Sequence, residues 1–211
     1  MTETRSTHLR YPGGRKSLLG AFAYLAGYAL VFAWKGNSID GVFEQVTVES
    51  RYQSSTLAEA LATADVGVSA VEGVGWLFYN AHYISVSVPT PAGGVTQKNL
   101  LSSVGGPLSF GFLVPPLLLL FAGLFATYGA SNVHDLRFDL GDSAFVRYWY
   151  NGAFPVLFGY VPFATVGVVV SWAGGFGPDL LLGWVLAGMV YPFVFAGVGG
   201  LIGNAIWYES N

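Results

Sequence analysis

Apolar residues in this chain fall into blocks of about twenty, separated by polar segments. Residues 18–34, 109–131, 153–173 and 180–207 contain no Asp, Glu, Lys, Arg or His. A helix rises 1.5 Å per residue, and about 20 apolar residues cross the roughly 30 Å hydrocarbon core of a bilayer. The four blocks therefore predict four transmembrane helices, the first at the short end of that range. The sequence GGFGPD joins the last two blocks and leaves room only for a tight helical hairpin. Arg5, Arg10, Arg15 and Lys16 ahead of the first block resemble the start of a signal peptide. The block ends in VFAWKGNS, without a small-x-small cleavage site, so it reads as an uncleaved span.

The pattern changes over residues 35–108. Thr56 followed by Glu59 has capping-box spacing, in which the hydroxyl and the carboxylate each take one free amide at a helix start. Leu57, Leu61, Ala64, Val68 and Val71 then recur at steps of three and four, predicting one amphipathic helix. Past Tyr83 the period becomes two: Ile84, Val86 and Val88 alternate with Ser85 and Ser87, as in a strand. FEQVTVESRY (43–52) alternates likewise and is a candidate partner for it. The stretch VEGVGWLFYNAHYISVSVP (71–89) is thus a helix end, a turn and a strand. A lone strand cannot satisfy its backbone in lipid, so this stretch is expected to lie on the bilayer surface, with Trp76, Phe78, Tyr79 and Tyr83 at headgroup level.

The fold class that follows is an all-α integral membrane protein. Four transmembrane helices enclose a small mixed α/β extracytoplasmic subdomain, inserted between the first helix and the second. Residues 1–17 form a basic cytoplasmic arm, 35–108 the extracytoplasmic acidic subdomain with its amphipathic helix, and 132–152 a cytoplasmic loop. Charge supports this orientation. Arg5, Arg10, Arg15, Lys16, Arg137 and Arg147 fall on the arm's side, leaving Lys35, Arg51 and Lys98 outside, which is the positive-inside bias. A cell-membrane location with a cytoplasmic N-terminus is expected.

Composition agrees. Hydrophobic residues make up 53% and charged residues 10%, far from the roughly 25% charged of a soluble domain. With no cysteine, disulfides, thiolate metal sites and cysteine nucleophiles are excluded. A net charge of −3 without a basic cluster argues against nucleic acid. The bilayer is the expected partner, with a membrane protein or a second copy as a further one, and no cofactor pattern is present.

VGWLFYNAHY (74–83) and FLVPPLLL (112–119) resemble an uncharacterised family of polytopic membrane proteins from halophilic archaea. The resemblance implies a cell membrane in high salt and supplies no activity, cofactor or site residue.

Candidate chemistry is sparse. Ionisable groups within spans mark ion paths and proton relays, and the four blocks have none. His82, with Asn80 and Glu72, forms one weak metal or acid–base constellation. His134 and Asp135, near Asp139 and Asp142, form another. The bland alternatives are helix capping for the first and a solvated loop for the second. Pro115–Pro116, Pro155, Pro162 and Pro192 each free a helical carbonyl, which predicts kinks or a polar lining. Gly199/Gly203, Ala196/Gly200 and Ala122/Ala126 are small pairs four apart that allow close helix approach, within one chain or across a dimer. The leading function is a non-enzymatic scaffold, accessory subunit or envelope component. A small-solute channel or transporter is the alternative, and a membrane-embedded metal-dependent enzyme the third.

Overall fold

The computed structural model describes residues 14–128 and 143–208. The described residues are mostly helical, with two small sheets. Among the described residues, four helical stretches are long and apolar enough to cross a membrane: Arg15–Gln45, Gly106–Thr127, Ala144–Val170 and Leu180–Ile206. This suggests a membrane location.

The first stretch contains α1 (Leu18–Lys35) and continues through a short 3₁₀ turn into α2 (Ile39–Gln45). The polar-patterned region follows. β1 (Thr47–Glu49) and β2 (Ser54–Thr56) form a hairpin. They are followed by α3 (Leu57–Thr63), α4 (Ala70–Asn80), β3 (Val86–Pro89), β4 (Val95–Lys98) and α5 (Leu100–Val104). The second apolar stretch starts as a 3₁₀ helix, Gly106–Leu113, and continues as α6 (Val114–Thr127). The third is α7 (Ala144–Val170), which begins early enough to include Arg147. The fourth comprises α8 (Leu180–Leu182), two π-helical segments (Gly183–Val190 and Pro192–Ala196) and α9 (Gly197–Tyr208).

Four expectations are corrected. First, the periodic run from Leu57 is two helices. Asp65 takes φ +53°, which ends α3, and Ser69 with Glu72 builds a second capping box that starts α4. Second, β1 does not pair with β3. SRYQ turns β1 back onto β2 in register Thr47↔Thr56, and TPAGG turns β3 onto β4 in register Val86↔Lys98. Two local hairpins close shorter loops than one distant pairing would. Third, Pro115 and Pro116 occupy the first positions of α6, where amides have no helical partner. They start that helix and do not kink it. Fourth, the aromatics of the 71–89 stretch do not form an outward-facing surface. Trp76, Phe78 and Tyr79 are fully buried, and only Tyr83 among the four aromatics is exposed. With 11 residues, α4 is also far too short to span.

The link between the third and fourth apolar helices does more than turn. Gly174 and Gly175 both have positive φ, as a two-residue hairpin needs, and Ala173 bridges Phe176. β5 (Gly177–Pro178) then adds to β3, giving the sheet order β4-β3-β5. Subdomain and bundle consequently share one core, in which Ile39, Phe43, Leu57, Val86 and Leu100 join Tyr24, Leu119, Val156 and Ala196.

The bundle itself closes through small residues. On α9, a Cβ at Gly199 would strike the Leu120 carbonyl of α6, and one at Gly200 would meet Tyr148 O of α7 at 2.6 Å. A Cβ at Gly123 would strike the Ala196 carbonyl. The glycine pairs on α9 are therefore used for packing within the chain. Lipid offers no hydrophobic gain for helix association, so this backbone-level contact is what holds such helices together.

Loss of either capping hydroxyl tests the subdomain's local logic. Thr56→Ala and Ser69→Ala should each destabilise by about 1 kcal/mol, read as a lower thermal midpoint of the purified protein. Ser102→Ala, an exposed position that uses only its backbone amide in the α5 cap, should leave the midpoint unchanged.

Candidate functional site

The end of α4 carries the polar residues singled out from sequence. Asn80 and His82 are fully buried, and each is consumed by local geometry. Asn80 Nδ2 donates to Ile84 O (2.7 Å), and its Oδ1 accepts from Leu100 N (2.8 Å). It thereby fixes the turn into β3 and satisfies the first amide of α5. Asn99 Nδ2 donates back to Asn80 O (3.1 Å).

His82 lies one turn past its acceptor. Its Nδ1 is 2.8 Å from Phe78 O, one of the last four carbonyls of α4, which lack helical donors. A carbonyl only accepts, so Nδ1 carries the proton. Nε2 of the neutral ring is then an acceptor, and the Tyr160 hydroxyl of α7 donates to it (2.9 Å). Burial pulls the His82 pKa down to about 4, against a smaller upward effect of the Phe78 bond. The ring is neutral near pH 7, and both nitrogens are engaged. Phe78 meets it edge-on at 4.9 Å and Tyr191 lies at 4.8 Å, between ring centroids.

A second polar line runs beside it. Tyr79 Oη donates to Ala164 O on α7 (2.6 Å), which leaves Tyr24 Oη on α1 to donate to Tyr79 Oη (3.1 Å). Burial pushes the Tyr79 hydroxyl far above its ordinary pKa, so it stays a donor. Trp76 Nε1 donates to Ser171 O at the end of α7 (2.7 Å). Gly75 and Gly167 admit these contacts. A Cβ at Gly75 would strike the Ser171 hydroxyl, and one at Gly167 the Tyr24 hydroxyl.

The remaining sequence candidates are not gathered here. Glu72 caps the other end of α4, with Oε2 at 2.7 Å from both Ser69 N and Ser69 Oγ. It is ten residues from His82, about 15 Å along a helix, so the constellation does not assemble. His134 and Asp135, with Asp139 and Asp142, lie outside the described residues. Among the described residues, no three His, Asp or Glu side chains come together to hold a metal. Sequence reasoning missed Tyr24, Tyr160 and Tyr191, because tyrosines in apolar blocks look like interface residues. Gly167 and Ser171 were the only trace of the facing surface, and neither shows by itself what it faces.

Chemically the arrangement is a cross-brace. Neutral donors and acceptors from α4 and its following turn are paired with α7 and α1, with no charge in the core of the cluster. No curated protein and no solved structure matches the chain. The model of a family of unknown function (DUF7978) matches residues 1–206, nearly the full length, and the chain accordingly belongs to that family.

Proposed function

We propose that this chain is a non-enzymatic membrane scaffold or accessory subunit, which presents residues 36–105 as a rigid platform on one face of the cell membrane. The observation that carries this reading is the bracing of the platform into the bundle. Trp76, Tyr79 and His82 each hydrogen-bond α7. A platform fixed in height and orientation suits holding a partner, whether another membrane protein or a second copy. Among the described residues, the cluster's own polar side chains, Asn80 and His82 included, are taken up by such bonds. Positive-inside bias supports a cytoplasmic N-terminus and an extracytoplasmic platform. The platform's Asp40, Glu44, Glu49, Glu59, Asp65 and Glu72 against Arg51 and Lys98 suit high-salt surroundings.

One observation favours a channel or transporter as the second reading. The fourth apolar helix is π-helical around Pro192, and widened helices recur at functional sites. Flux measurements separate the two. Purified protein in liposomes should pass glycerol, urea and monovalent ions no faster than protein-free vesicles. In native membranes, a photo-cross-linking residue replacing Tyr52 at the β1–β2 turn should give one discrete adduct. Solute-specific flux without any adduct would overturn the scaffold reading.

A further inference from the structure

A groove of about 230 Å³ runs along the seam between α1 and α7. Leu25 and Tyr28 form one wall, Phe163, Val166 and Val170 the other, and Val71 of α4 closes one end. The groove opens sideways: Leu25 is 51% exposed, Val166 63% and Val170 53%. Gly167 and Ser171 lie at its base.

The polar atoms along it are already paired. Tyr24 Oη bonds Tyr79 Oη, Tyr28 Oη donates to Val71 O (2.6 Å), and Ser171 Oγ donates to Gly167 O (2.7 Å). The hydroxyl protons along it are spent, so a ligand bearing acceptors would give up hydrogen bonds to water and find no free donor, whereas a hydrocarbon loses nothing. The void also forfeits dispersion contacts that a chain of methylenes would restore.

We propose that this groove binds one acyl chain of a bilayer phospholipid, with the headgroup end toward Val71. The occupant follows from continuity. The exposed faces of α1 and α7 that frame the opening belong to two of the four helices apolar enough to span, so an acyl chain enters without leaving hydrocarbon. A peptide strand would need backbone partners that the groove does not offer. Val71 marks the headgroup end because it belongs to the platform, whereas Phe163 lies within α7. The site is independent of the scaffold reading.

The test uses the full chain, reconstituted in phosphatidylcholine vesicles, re-extracted in mild detergent and weighed by native mass spectrometry. The wild-type protein should retain one phospholipid per chain. Val166→Trp and Val170→Trp fill the groove from exposed positions, and each should lower that occupancy at least tenfold. Phe121→Trp, on the exposed face of α6, should retain it. A phospholipid lost from both groove variants, with unchanged elution volumes, supports the site. Equal retention in all four proteins, or no retention by the wild type, overturns it.

Discussion

Gly159→Val should abolish assembly of the helical bundle. α1 and α7 meet backbone to backbone. A Cβ at Gly159 would strike the Ser17 carbonyl and lie 2.9 Å from Ala21 N, while one at Gly20 would strike the Val156 carbonyl and lie 2.8 Å from Tyr160 N. Backbone cannot swing aside as a flexible side chain can. The two helices would have to separate along the seam, where Tyr24 of α1 packs edge-on against Tyr160 of α7 (5.1 Å between ring centroids), and these tyrosines also hold the bonds to Tyr79 and His82. A cost above about 4 kcal/mol is the range in which single substitutions unfold proteins. The purified variant should show no monodisperse peak in size-exclusion chromatography. Gly41→Ala is the contrast. Nothing lies within 4 Å of its Cβ position in α2, and alanine gains about 0.5–1 kcal/mol over glycine within a helix. That variant should behave as wild type or slightly better. A monodisperse Gly159→Val protein would refute the contact.

His82→Ala should destabilise by about 2–4 kcal/mol, since it opens a cavity and leaves the Tyr160 hydroxyl without its acceptor. Tyr160→Phe should cost about 1–3 kcal/mol, because Nε2 of a buried ring then has no donor. The double variant should cost less than the sum, as the partners are each other's only loss at that bond. The same pair predicts a pH effect. The folded pKa of His82, about 4, lies below the unfolded value near 6.5. The unfolded chain therefore binds the proton more readily. The contribution is fully present above about pH 6.5 and is lost as pH falls through about 4, at up to roughly 1.4 kcal/mol per pH unit. Phe78, Tyr160 and Tyr191 face the ring and carry no charge there to offset it. Thermal midpoints of wild type and His82→Gln, measured from pH 7 to pH 4.5, should diverge, the wild type falling more steeply. Parallel curves would mean that His82 is not buried in the neutral form.

Hydropathy made the apolar helices legible because each block is long and without charge. The Thr56–Glu59 box was legible because its chemistry is local, and both of its bonds are present. Ser69 and Glu72 carry the same spacing and were readable on the same grounds. Leu57 to Val71 hid the break, because a helical period survives a short interruption between two helices packed on one core. The burial of Trp76, Tyr79 and His82 was not legible. Aromatic and amphipathic residues look alike at a membrane surface and inside a bundle, and what separates the cases is the facing backbone at Gly167, Ser171 and Gly75. Strand pairing failed for a related reason: alternation marks a strand and does not select its neighbour. Arg147 and Asn151 lowered the hydropathy ahead of 153, although Tyr148 and Asn151 are buried within α7.

The central claim is that four apolar helices cross the bilayer while the 71–89 stretch is buried without crossing. A chain without cysteine allows this to be tested with single labels. Tyr52→Cys sits at a hairpin turn where the native residue is 87% exposed, and Ser143→Cys lies just ahead of α7. In sealed, oriented membranes, an impermeant maleimide should label the first from one side only and the second from the other side only. Labelling of both from the same side would contradict the claim.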